Sequence, residues 1–147
     1  MKFALTRTNE IGSLLIRARL LEPWSHAVVI DTPDHIIDST FKHGGVRRRD
    51  AALVLNDKAT VELEHCPLDR EAEAREFLYE QVGKRYDWRA VYGWAGAGRD
   101  WHDECSWFCF ELVAAAIEVG SGYRFSNRNR VTGRDLQRAA RTLRGEA

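Results

Sequence analysis

The chain reads as an α+β protein built on a mostly antiparallel sheet, and three observations carry that reading. First, two β-branched runs, Trp24–Asp31 and His35–Phe41, flank the turn residues Thr32-Pro33-Asp34 and so predict a hairpin. Second, Ala59–Cys66 alternates Val61 and Leu63 with Glu62 and Glu64, the period of a half-buried strand. Third, helical periodicity occupies separate blocks, Asp69–Val82 and about Ser106–Val119. At 147 residues the chain fits a single domain, 1–147, long enough to bury a core.

Taken in order, Lys2–Thr8 alternates as a short strand with Phe3 and Leu5 on one face. Thr8 or Asn9 can cap a helix from about Glu10 to Leu20, whose apolar stripe is Ile11, Leu14, Leu15 and Ala18, and Pro23 ends it. After the hairpin, Gly44-Gly45 breaks the chain. Val46–Asn56 reads as more helical than extended. Pro67 closes the third strand, and Asp69 caps the next helix, with Glu71 and Glu73 in its first turns and Gly83 as its stop. Tyr86–Gly98 is aromatic and glycine-spaced, hence irregular or short-helical. Ser106 is a good N-cap for a buried helix carrying Leu112, Val113, Ala116 and Ile117, ended by Gly120. Thr132-Gly133-Arg134-Asp135 is a capping box for a last helix to about Leu143.

Composition excludes several classes. With 44% hydrophobic and 30% charged residues and no net charge, nothing pulls the whole chain toward nucleic acid or an anionic membrane. Residues 121–147 hold seven arginines against Asp135 and Glu146, which suits either a solvated helix face or a basic docking surface. Nucleic-acid binding there would collapse with salt, and no specific nucleic-acid partner is expected. No apolar run reaches the roughly 18–20 residues of a membrane span, and no signal peptide is visible. Three cysteines, Cys66, Cys105 and Cys109, are too few for a disulfide framework, so a reducing compartment, the cytoplasm, is the default. Export by a specialised route, or release by lysis, would leave no mark. Oligomeric state is not legible.

The chemistry centres on Cys109, at the start of the buried helix, where free N–H groups and the helix dipole favour a thiolate. A cysteine there is also an ordinary packing residue. His26 opens the first hairpin strand and Asp38 lies on the returning one. A turn centred on Thr32 sets the two opposite each other on one face; a two-residue turn would instead put Asp38 against Val29. A ring held on one nitrogen by a carboxylate offers the other to a thiol. Cys105 is the rival nucleophile, but Asp103 and Glu104 beside it would raise its pKa. His102, Cys105 and Cys109 make a poor metal set of only three ligands, and no cofactor is implied. His43 and His65 read as surface or strand-edge residues, and Glu111 as a helix-start carboxylate without a chemical role.

Trp24-Ser25-His26, Ile37-Asp38, Gly44-Gly45-Val46, Gly83-Lys84-Arg85-Tyr86-Asp87-Trp88 and Trp107-Phe108-Cys109-Phe110-Glu111-Leu112-Val113 together resemble the circularly permuted NlpC/papain-like superfamily. The YiiX-like members are the nearest resemblance, with lecithin–retinol acyltransferase-like proteins more distant. The resemblance spans roughly residues 1–140 and implies a permuted papain-like fold, with the cysteine helix packed against the sheet. It implies Cys109 as nucleophile, His26 as base and acid, Asp38 as the residue that orients His26, and Tyr86 in the site. Two positions depart from the family pattern. Phe110 stands where serine is usual, and Asp38 where glutamate or histidine is commoner.

The aromatic residues between Tyr86 and Phe110 either cover the cysteine helix or wall a groove, with Tyr86, Trp88, Trp107 and Phe110 against substrate and Gly93, Gly96 and Gly98 permitting movement. The expected activity is cysteine hydrolysis, with the resemblance pointing first to amide bonds of peptidoglycan peptides. Alternatives are lipid ester or thioester cleavage or acyl transfer, and an inactive binding or structural protein.

Overall fold

A computed structural model describes residues 1–56, 58–87 and 106–146. Its centre is a seven-stranded sheet of order β5-β1-β2-β3-β4-β6-β7. The strands are β1 (Lys2–Arg7), β2 (His26–Thr32), β3 (His35–Thr40), β4 (Gly45–Asp50), β5 (Thr60–His65), β6 (Arg85–Tyr86) and β7 (Ser106–Trp107). All neighbours are antiparallel except β6 and β7, which run parallel. The helices are α1 (Ile11–Leu20), α2 (Ala51–Leu55), α3 (Glu71–Gln81), α4 (Cys109–Ser121) and α5 (Gly133–Leu143), with a 3-10 turn at Arg128–Arg130. This is an α+β architecture with a mostly antiparallel sheet.

The sheet is covered on both faces. On one, Phe3, Leu5, Ala27, Val29 and Ile37 pack under α4, which is buried along nearly its whole length and leans on α3. On the other, Ala4, Val28 and Ile36 meet Ala51 and Val54 of α2. A central strand with both faces covered explains why Ala4 and Thr6 of β1 are as buried as Phe3 and Leu5.

Several elements depart from their sequence-based expectations for identifiable reasons. Val46–Asn56 is half strand: β4 runs through the three arginines, and only Ala51–Leu55 is helical, capped by the Asp50 side chain accepting from Leu53 N–H. Gly45 allows that strand to form, because a Cβ there would sit 2.0 Å from the Lys84 carbonyl oxygen, where β4 meets β6. In β5 the burial is reversed. Val61 and Leu63 are exposed, while Glu62 and Glu64 turn toward α5 to accept from Gln137, and Glu64 also pairs with Arg144. Three members of the expected apolar stripe of α1 are not buried either: Ile11 is 77% and Leu14 47% exposed, and Ala18 faces solvent. Ser13 instead ties α1 down, accepting from Thr8 N–H and donating to Ser25.

Helix ends differ too. Neither Thr8 nor Asn9 is the cap of α1; Glu10 holds that position with no side-chain bond. Arg70, not Asp69, precedes α3, which stops at Gln81 ahead of Gly83 at φ +97°. Gly120 lies inside α4, where it lets the helix approach Leu68 and Ala74; an added Cβ would come within 2.6 Å of Leu68 Cδ1. The helix ends instead at Gly122, in the left-handed region. The Thr132–Asp135 capping box is formed as expected. Much of the arginine-rich end serves the fold: Arg128 bonds Glu118, Arg138 bonds Asp135, and Arg144 bonds Glu64 and Glu146. No helix among the described residues is long and apolar enough to cross a membrane.

Candidate active site

Cys109 is the first residue of α4, preceded by the extended N-cap Phe108. Ser106, expected as the cap, lies in β7, because Trp107 takes a strand position beside Tyr86 of β6. A phenylalanine cap offers no side-chain acceptor to the first-turn N–H groups. The thiol is buried, 2% exposed, at the positive end of an apolar helix. Cys66, the other described cysteine, is a contrast. Burial pushes its thiol up to about 11, against a smaller opposing effect of the N-terminal ammonium, so it stays protonated and inert.

His26 opens β2 opposite Thr6 of β1, and its Nε2 lies 2.8 Å from Asp38 Oδ2. The register that joins them is not the expected one. The hairpin turn is the tight form, with Thr32 paired to His35 around Pro33-Asp34, which by itself would place odd residues opposite even ones. A register shift between Ile30 and Thr32 restores the parity, so that Ile30 faces Ile36 and Val29 faces Ile37. His26 and Asp38 therefore share a face as diagonal neighbours rather than as a directly opposed pair, and the imidazole spans the gap.

Asp38 has a second partner that sequence reasoning missed. Arg49 of β4 donates from Nε to Asp38 Oδ1 at 3.0 Å and from Nη2 to Oδ2, a bidentate clamp. The signal was present in Arg47-Arg48-Arg49, but alternate arginines share a sheet face only if the segment is a strand, and it read as a helix. Burial would raise the Asp38 pKa; the bonds and charges of His26 and Arg49 outweigh it and hold the carboxyl below its ordinary value. The Asp38 side chain is wholly buried and that of His26 only 16% exposed. Burial by itself would lower the His26 pKa. The negative charge of a Cys109 thiolate, the bond to Asp38 and a hydrogen bond with Cys109 outweigh it and push the ring up to about 9. With Nε2 committed to Asp38, Nδ1 is the nitrogen left for the sulfur.

Tyr86 also belongs to this neighbourhood. Its hydroxyl pKa is raised by burial, then by the charges of Cys109 and Asp87, and its ring meets Phe108 edge-on at 6.2 Å. Trp107 and Phe110, expected against substrate, are core residues. The Trp107 indole N–H bonds Gln81 at 3.1 Å, its ring lies edge-on to Phe77, and the Arg128 guanidinium stands 5.9 Å over it. Phe110 is fully enclosed, with its ring edge-on to Phe108 at 5.5 Å. Aromatic rings flanking a buried helix start bury area there before they can meet a ligand. Glu111 is buried as well, with Arg128 Nε 4.0 Å away. Trp88, His102, Cys105 and the glycine-spaced aromatic segment lie outside the described residues. Among the described residues no group of three or more histidine, cysteine, aspartate or glutamate side chains could hold a metal.

The arrangement is a buried thiol and imidazole in contact, the imidazole steadied by a carboxylate that an arginine holds in turn. Such a set has the parts for nucleophilic catalysis. No protein-family model matches this chain, and no curated protein is similar enough to match it.

Proposed function

We propose that the chain is a permuted papain-like cysteine hydrolase that cleaves amide bonds in peptidoglycan peptides. The observation that carries the reading is the His26 ring, bonded through Nε2 to Asp38 while in contact with the Cys109 sulfur. A histidine strand early in the chain and a cysteine helix late in it also suit the permuted order.

In this mechanism the Cys109 thiolate attacks the carbonyl carbon, forming a C–S bond and a tetrahedral oxyanion held by first-turn N–H groups of α4. The C–N bond then breaks as the His26 imidazolium gives its proton to the departing amine. Water attacks the thioester, its proton passes to His26, and the C–S bond breaks to restore the thiolate. Asp38 keeps the ring oriented throughout, and Arg49 keeps Asp38 anionic and in place.

The test is incubation with purified muropeptides. New amines should appear, and a thiol-directed probe should label the chain at Cys109. Both signals should vanish in Cys109→Ala. If binding and biological effect survive that substitution undiminished, a non-catalytic role is the correct account.

A further inference from the structure

Ser39 of β3 is fully buried, and its hydroxyl donates to the Trp107 carbonyl at 2.6 Å. In the sheet, β4 and β6 lie between β3 and β7, so this bond reaches past two intervening strands. The same carbonyl accepts from Asp87 N–H at 3.2 Å. With both of its lone pairs engaged, the plane of the Trp107–Phe108 peptide is fixed. Cys109 begins α4 immediately after that peptide.

The entry to α4 needs such an outside hold. Phe108, the N-cap, makes no side-chain bond to the first turn, and the first helical bond runs from Leu112 N–H to the Phe108 carbonyl. The Trp107 carbonyl thus lies just ahead of the helix, and no helical bond sets its direction. The Trp107 indole, bonded to Gln81 and edge-on to Phe77, anchors the residue to α3. Which way its carbonyl points is left to Ser39 and the Asp87 N–H.

We propose that Ser39 is a positioning residue for the thiol: by holding the Trp107 carbonyl, it sets where the Cys109 sulfur and the first-turn N–H groups of α4 stand relative to His26. The inference rests on the cysteine-hydrolase reading above and adds how the two halves of the site are kept in register. Consecutive residues of β3 supply both supports. Asp38 holds the imidazole from one face of the strand, and Ser39 holds the segment entering the thiol's helix from the other. A displacement of β3 therefore carries ring and sulfur together.

A role in the fold alone and a role in placing the thiol differ in what they do to His26. Burial lowers the ring's pKa, while the Cys109 charge, the bond to Asp38 and the hydrogen bond with Cys109 raise it. Ser39→Ala leaves Asp38 in place but releases the Trp107 carbonyl from one of its two donors, so the sulfur loosens from the ring. The His26 ring, followed by NMR across pH and assigned with His26→Ala, should titrate about one unit lower in Ser39→Ala than in the unaltered chain. On purified muropeptides kcat should fall about tenfold with KM within about twofold, the pattern of misplaced reacting atoms. Ser39→Cys nearly keeps the size with a weaker donor, and should move both readouts the same way by less.

Ser121→Ala is the matched control. It removes a 2.6 Å bond to the Ile117 carbonyl at the far end of the same helix, and should leave the titration and kcat unchanged. The proposal is overturned if Ser39→Ala leaves the His26 titration where it was, if Ser121→Ala moves it as far, or if kcat in Ser39→Ala equals that of the unaltered chain. If the unaltered chain cleaves no muropeptide, the hydrolase reading falls alone, and the shift in titration then supports placement of the thiol by Ser39.

Discussion

The hairpin of β2 and β3 carries two buried carboxylates, Asp31 and Asp38, and each meets an arginine of β4. Asp31 accepts from Arg48 Nε at 2.7 Å on the face that packs toward α3; Asp38 accepts from Arg49 on the opposite face. Consecutive arginines of one strand serve opposite faces because side chains alternate. The pairs differ in their third member. Tyr79 of α3 donates to Asp31 Oδ1 at 2.8 Å and closes a structural knot between sheet and helix. The third member at Asp38 is His26, an imidazole whose pKa is pushed up to about 9. Nearly the same carboxylate–arginine unit thus fastens sheet to helix on one side and orients the His26 ring on the other, and the third partner marks the difference.

The comparison can be broken most forcefully at that third partner. His26→Ala should reduce kcat/KM on muropeptides by on the order of a thousandfold, the scale of a lost acid–base group, whereas Tyr79→Phe should leave turnover unchanged. Exchanging the carboxylates is the next largest test. Asp38→Asn and Asp31→Asn should each destabilise the fold, as read from urea unfolding, and Asp31→Asn by less because its Arg48 partner reaches solvent. Only Asp38→Asn should also lower kcat, by about a hundredfold. Equal loss of turnover from both would erase the distinction between the two faces.

The pH profile sharpens the same contrast. The folded protein holds the His26 proton more tightly than a free imidazole, with a pKa of about 9. Its stabilising contribution is complete below the ordinary value near 6.5 and is lost as pH rises through about 9. The alkaline limb of kcat/KM should lie near about 9 and move toward lower pH in Asp38→Asn, which weakens an interaction that raises the ring's pKa. The arginines give smaller effects. Arg49→Lys keeps the charge but not the fork and should cost about tenfold in kcat, while Arg48→Lys should leave kcat within error. Tyr79→Phe should lower stability by only about 1 kcal/mol.

The sequence by itself determined the elements with strong local signals. The hairpin followed from β-branched runs around Pro33-Asp34, α3 from its periodicity and acidic start, α5 from its capping box, and α4 from the helical spacing of Leu112, Val113, Ala116 and Ile117. The candidates Cys109, His26 and Asp38 were legible because an ionisable side chain in an apolar setting is conspicuous in one dimension. Other features depended on neighbours that no local pattern names. Glu62 and Glu64 turn inward because Gln137 and Arg144, far along the chain, are there to meet them. Gly45 is needed for the approach of Lys84, and Trp107 and Phe110 became core because the start of α4 is enclosed. The site shows the division most clearly. A shift of register near Asp31, set by how the hairpin twists and packs, decided that His26 and Asp38 share a face. That parity, with the choice of strand over helix for Arg47–Arg49, is a property of pairing between segments, and only the assembled sheet could supply it.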